Sequence, residues 1–224
     1  MRLIFFLSLV LIKSLHSFSQ NCHEFFPFAA GTEWEISAYD EKNKLLSVGQ
    51  YKITGISNNV ADVSVRSTDQ KGRELMNIQT KWYCKDGMIS FEMKDMFPQN
   101  AAMNNIKAEM KFSGTNLEFP GNLNPGLKLP DADAKLEMYI DGMRFMTMNI
   151  RITDRQVEGN EQVSTPIGTL ECIKISQTSE VKSIISSKSK TSTWISKNKG
   201  MVKSESYNQK GKLTGYQLMT KFKS

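Results

Sequence analysis

WISKNKGMVKSESYNQKGKLTGYQLMTKFK, residues Trp194 to Lys223, is the stretch whose reading decides the fold. Ile195-Ser196 runs into Lys197-Asn198-Lys199-Gly200. Met201 to Tyr207 follows, Asn208-Gln209-Lys210-Gly211 turns the chain again, and Lys212 to Phe222 closes it. That is strand, turn, strand, turn, strand. Asn208 opens its turn with a side chain able to bond back to the backbone, and Gly211 supplies positive φ. Together they make a type I turn closed by a left-handed residue, as in short hairpins. Asp40-Glu41-Lys42-Asn43 and Asp69-Gln70-Lys71-Gly72 repeat the chemistry, with Asn43 as the other residue that tolerates positive φ. Each copy is followed by a basic residue and shortly by leucine: Lys44-Leu45, Arg73-Glu74-Leu75 and Lys212-Leu213. The irregular spacing fits convergent hairpin chemistry rather than a solenoid or propeller period.

Working outward, Thr32 to Tyr39 alternates Trp34, Ile36 and Ala38 with polar residues, and Leu45 to Ile56 returns. Val60 to Ser67 and Leu75 to Cys84 make the next hairpin, and Asp86-Gly87 turns into Met88 to Met93. Pro98 and Ala101-Ala102-Met103 predict one short helix over Asp95 to Ile106. Ala108, Met110 and Phe112 resume a strand, and three prolines make Phe119 to Asp133 a loop. Leu136, Met138 and Ile140 share a face. Asp141-Gly142 turns the chain, and Met146 to about Glu158 follows, with a further turn predicted at Gly159-Asn160. Thr165-Pro166-Ile167-Gly168 leads into Thr169 to Ser179, and the Ser- and Lys-rich run Lys182 to Thr193 suits a solvent-exposed or edge strand. The fold class predicted is mainly β: a curved antiparallel sheet, half-barrel or open barrel, with one short helix.

The chain has 224 residues. Arg2, the apolar run Leu3 to Ile12 and the small residues Ser17 and Ser19 form a signal peptide over residues 1–19, with Gln20 as the expected new N-terminus. The apolar run falls short of the about 20 residues that span a bilayer. A buried N-terminal strand is one alternative. A lipoprotein anchored at Cys22 is another, although Asn21 fits a lipid-attachment site poorly. Residues 20–224 then form a single exported β-rich domain, periplasmic or extracellular, with no transmembrane span. Losing Arg2 and Lys13 lowers the net charge from +6 to +4. The lysines are dispersed along strands and turns, which reads as a solvated surface rather than a nucleic-acid face. Three cysteines, Cys22, Cys84 and Cys172, allow three pairings. Cys22–Cys84 is favoured, because it would pin the N-terminus beside the Asp86-Gly87 turn. Cys172 lies in a strand-like run, where a free thiol behaves as a small buried hydrophobe.

His23 is the single histidine of the mature sequence, which argues against Ser-His and Cys-His catalysis. No spacing matches a zinc site or a phosphate-binding glycine loop, and acidic residues are plentiful but ungrouped. The expectation is no enzyme, no metal and no cofactor. Methionine is the unusual feature: ten of the 13 lie between Met76 and Met148. Either methionine fills gaps in an ordinary core, or it lines a pliable apolar surface that repacks around varied partners.

Asn21-Cys22 with Phe26-Pro27, Gly31-Thr32-Glu33-Trp34-Glu35 and Tyr39-Asp40 resembles the opening of the TapB-like exported bacterial proteins. Thr165-Pro166-Ile167-Gly168-Thr169 with Cys172 and Lys174-Ile175-Ser176 is similar to their central signature. Trp194 with Gly200 to Tyr207, Gly211-Lys212-Leu213 and Gly215-Tyr216 is similar to their C-terminal block. The departures are Ile167, where a small residue is usual, and Asn43, where glycine is usual. The resemblance implies an exported domain of unknown function and kinship with the LolA-like half-barrel, which holds acyl chains in a concave apolar sheet. On that architecture the period-2 pattern sends Met110, Phe112, Met138, Ile140, Met146, Met148 and Ile150 to one concave face as a candidate ligand groove. The function expected is non-enzymatic binding of an apolar, lipid-like ligand or an envelope protein. The alternative is a structural or assembly protein whose β core is filled by its own side chains.

Overall fold

The computed structural model describes residues 24–96 and 108–224. The expected signal peptide, Cys22 and His23, and most of the expected helix lie outside the described residues. Among those described there are thirteen strands: β1 (Glu33–Asp40), β2 (Leu45–Ser57), β3 (Val60–Asp69), β4 (Glu74–Lys85), β5 (Met88–Phe91), β6 (Ala108–Gly114), β7 (Leu117–Pro120), β8 (Ala132–Ile140), β9 (Met143–Thr165), β10 (Gly168–Lys182), β11 (Ser187–Ser196), β12 (Gly200–Asn208) and β13 (Leu213–Lys223). All pair antiparallel in one open sheet, ordered β6-β8-β9-β10-β11-β12-β13-β1-β2-β3-β4-β5-β7. A 3₁₀ turn at Met93–Met96 is the helical structure seen near the expected helix.

The three recurring turns share one geometry. The Oδ1 of Asp40 accepts from the amides of Lys42 and Lys44 at 2.8 and 2.9 Å. Asp69 does the same for Lys71 and Arg73, at 2.8 and 3.0 Å. Asn208 serves Lys210 and Lys212, at 2.9 and 3.0 Å. Positive φ falls on Asn43, Gly72 and Gly211. The side chain thus satisfies amides that the tight turn would otherwise leave to water alone.

The sheet curls on itself. Only Thr115-Asn116 separates the two edge strands, β6 and β7, and this corner is tied to both sides. The Thr115 amide donates to the carbonyl of Asp133 next to β6 (2.8 Å), and the Asn116 side-chain amide donates to Ser90 Oγ of β5 (3.3 Å). Gly114 makes the corner possible: a Cβ there would lie 2.2 Å from the Asp133 carbonyl oxygen. The curl closes over apolar residues drawn from strands distant in the sheet order. One cluster joins Trp34 and Ile36 of β1, Val63 of β3, Val163 of β9, Cys172 of β10 and Val202 of β12. A second joins Phe25 and Phe26, Ile89 of β5, Phe119 of β7, Val157 of β9 and Ile175 of β10. Burying these side chains supplies the driving force, at about 25 cal/mol per Å² of apolar surface.

Two expectations are corrected. Gly159-Asn160 does not turn the chain: β9 runs on to Thr165, with Gly159 opposite Lys174 and Asn160 opposite Ile173. The irregularity is a bulge at Glu158, which is left unpaired between the Gly159–Lys174 and Val157–Ile175 pairs, and the strand runs on through it. Lys182 to Thr193 is largely solvent-exposed as expected, but it is not at an edge of the sheet. Residues 183–186 form a hairpin tip, and β11 lies inside the sheet between β10 and β12.

Candidate functional site

The register aligns the predicted groove residues in cross-strand rows. Met110 faces Met138, which faces Met146; Phe112 faces Leu136, which faces Met148; Ile150 stands opposite Ala134. Ile140 ends the same face of β8, where Ala132, Ala134, Leu136 and Met138 are all buried. Period-2 alternation of two hairpin-linked strands produces this, and β6 extends it by one strand. The face is mostly covered: Met138 is 5% and Ile150 7% exposed, while Met110, Phe112, Ile140, Met146 and Met148 are half-buried. Met93, from the 3₁₀ turn, inserts into the cluster of Ala132, Ala134, Ile150 and Ile152, with Phe112 and Met148 packed against it.

A cavity of about 700 Å³ lies elsewhere, between Phe25, the loop at Asn122 to Pro125, and β9, β10 and β11. Cys172 lines it and is the free cysteine among the described residues. Burial, with help from Glu161, pushes its thiol up to about 11, so it is a protonated thiol at neutral pH. Glu161, on the rim of this cavity, accepts from Trp194 Nε1 at 2.7 Å and pairs with Lys174 at 3.2 Å. The Trp194 bond, first, and Lys174 hold the Glu161 carboxyl below its ordinary range. Lys174 and Lys203 stand directly opposite Trp194 on the flanking strands, their ammonium groups 5.1 and 4.7 Å from its ring centre. A second concavity, of about 600 Å³, lies over the stacked rings of Trp34 and Tyr51. None of the seven predicted groove residues lines either cavity.

Sequence reading missed Arg155. It sits in the middle of β9 and is 2% exposed. Its Nη1 donates to the carbonyls of Glu118 (3.0 Å) and Pro130, and its guanidinium lies 4.7 Å from the Phe119 ring centre. Nε and Nη2 have no hydrogen-bond partner among the described residues. Burial lowers its pKa to about 10, against the pull of Asp131 and Glu118, and the group stays charged at neutral pH. Arg155 therefore clips β7 and the proline-rich loop onto β9. The sequence signal was slight: a basic residue where Ile150, Ile152 and Val157 mark a buried strand. Among the described residues no group of His, Cys, Asp and Glu side chains could hold a metal ion. No helix among them is long and apolar enough to cross a membrane.

A curled antiparallel sheet over a mixed aromatic and aliphatic core is the class the geometry defines. Residues 29–219 match the DUF3108-like family, and the chain belongs to it. Among solved structures, it is similar to a Bacteroides fragilis protein, provisionally described as exported and as having a YmcC-like fold. That protein is 27% identical, with a TM-score of 0.71 over 91% of this chain and 100% of that one. It is also similar to a protein from Parabacteroides distasonis, provisionally described as a lipoprotein. There the identity is 22% and the TM-score 0.71, again over 91% of this chain and 100% of that one. No curated protein matches it.

Proposed function

We propose that this protein is a non-enzymatic interaction protein of the cell envelope, exported by a cleaved signal peptide, with a self-filled β core and a partner met at its surface. The observation that carries this is the covered methionine-rich face: Met138 and Ile150 are buried, and Met93 packs into the same cluster. Export is supported by the leader over residues 1–19 and by the exported description of the Bacteroides fragilis relative. Native mass spectrometry of protein purified from its own envelope tests the reading. The expected result is the mass of the polypeptide alone.

A second reading, an apolar-ligand carrier as the LolA-like kinship implies, is favoured by one observation. Met110, Met146 and Met148 are only half-buried, and unbranched thioether side chains repack at little cost. An acyl chain entering there gains about 0.8 kcal/mol per methylene buried. A co-purifying lipid that is lost on Met146→Asp would select this reading over the first. The Cys22–Cys84 bridge belongs to the same proposal as the tether of the N-terminal segment. Cys84 is buried and is not among the free thiols, and Cys22 lies outside the described residues. Peptide mapping without reduction tests it, and a Cys84–Cys172 crosslink would exclude it.

A further inference from the structure

We propose that one rim of the curled sheet is a docking surface for the anionic face of a lipid bilayer. The strands alternate in direction, so their hairpins fall on two rims. One rim carries the turns at 40–44, 69–73 and 208–212, the 141–142 turn between β8 and β9, and the 183–186 tip between β10 and β11. Neighbouring turns touch: Tyr216 donates to Asn43 Oδ1 at 2.9 Å, and Tyr39 stacks on Tyr216.

Two properties converge on this rim. The first is apolar. Seven large hydrophobic residues are exposed among the described residues, and six belong to it. Ile184 and Ile185 are 84% and 80% exposed, Met143 and Phe145 74% and 59%, and Leu46 and Leu75 follow two of the turns. Lys182 pairs with Asn149, which brings the 183–186 tip alongside the first residues of β9. Ser183 Oγ donates to the Ile185 carbonyl at 3.0 Å, closing the tip beneath the two isoleucines. Large apolar side chains gathered at the hairpins of one rim mark an interaction surface.

The second is basic charge. Lys182, Lys188 and Lys190 flank the isoleucine tip, and Lys210 and Lys212 sit on the next hairpin. Lys182 is partly matched by Glu180 (3.3 Å) and Arg144 by Glu137 (3.2 Å). Asp40 and Asp69 are turned back onto the amides of their own turns. Apolar tips ringed by lysine match a bilayer that offers acyl chains beneath anionic headgroups. A protein partner would match the apolar tips alone as well, and a polyanion the lysines alone. A bilayer surface uses both at one rim.

The inference rests on the envelope reading and adds where the chain meets its surroundings. The test is flotation of the mature chain with vesicles of phosphatidylcholine mixed with phosphatidylglycerol, against vesicles of phosphatidylcholine alone. The chain should float with the anionic vesicles and be released by high salt. Ile184→Asp with Ile185→Asp should lower partitioning at least about tenfold. Replacing Lys182, Lys188 and Lys190 by Gln should cost about fivefold per lysine and flatten the salt dependence. Ile56→Asp, on the opposite rim, should change nothing. Thermal melts confirm that each variant folds, and Ile184→Ser with Ile185→Ser replaces the aspartate pair if it does not. The proposal is overturned if the wild type does not float, if the isoleucine variants float equally, or if Ile56→Asp loses binding too. It is also overturned if the rim instead holds a second copy, seen as a concentration-dependent dimer dispersed by the same variants. Any of these would leave the self-filled core to its own test by native mass spectrometry.

Discussion

The two rims of the curled sheet are both built from antiparallel hairpins, yet one is sealed and the other is bare. On the sealed rim, the Asn198 and Gly200 amides donate to the carbonyls of Glu24 and Phe25, at 2.9 and 2.7 Å. Lys197 pairs with Glu24 at 2.6 Å. Phe26 is driven against Trp82, Phe91 and Phe119, with ring centres 6.3, 5.1 and 5.3 Å away. On the bare rim the turns satisfy themselves through Asp40, Asp69 and Asn208, and lysines and apolar side chains stand in solvent. The difference teaches where stability and function separate. Sealing a rim buries aromatic surface, whereas self-satisfied turns need nothing from the core and leave their outer residues free for a partner.

That contrast is broken or sharpened by substitutions on each side. Phe26→Ala, on the sealed rim, should cost about 3–5 kcal/mol in urea unfolding, because an aromatic core residue leaves a cavity that the sheet cannot collapse into. A loss below about 1 kcal/mol would mean that the rim is not sealed by this segment. Arg155→Ala should cost about 3 kcal/mol, since it orphans the carbonyls of Glu118 and Pro130 inside the fold. Hydrogen exchange should then rise selectively in residues 121–131. A uniform rise would show that Arg155 supports the whole core rather than the loop.

On the bare rim, Gly211→Ala should cost only about 1 kcal/mol, from forcing an alanine to φ near 75°. A loss as large as that of Phe26→Ala would erase the contrast between the rims. The smallest effect is spectroscopic. The Glu161 carboxyl is held below the ordinary value of 4.5, first by the bond from Trp194 Nε1. A carboxylate with a depressed folded pKa contributes stability that is complete above its unfolded value and lost as pH falls through the folded value. Trp194 fluorescence should therefore shift at a midpoint below pH 4.5, and Glu161→Gln should abolish the transition. A midpoint above 4.5 would show that the bond is not made.

The hairpin register was legible because it is written locally. Asp40-Glu41-Lys42-Asn43 determines its own turn, and Met110, Met138 and Met146 align because alternation carries through each turn. Gly159 misled because a glycine in a strand signals either a turn or a bulge, and the choice belongs to the opposing strand. In residues 182–193 low hydrophobicity marks exposure, which the structure shows, but not an edge position, because the sheet order is set by the partners on either side. Arg155 left only the slight sign of a basic residue in an apolar run, because nothing in its neighbours reveals that two carbonyls from β7 and the proline loop converge on it.

The sequence by itself determined the strand periodicity, the self-satisfied turns and the antiparallel order of neighbouring hairpins, since each depends on residues a few positions apart. Only the tertiary structure decided that the sheet curls until β6 and β7 meet at Thr115-Asn116. It likewise decided that the methionine-rich face is covered, and that six exposed apolar residues from separate hairpins share a rim with the lysines. These are contacts and placements between strands far apart in the chain, fixed by apolar burial, and burial has no period that a sequence displays.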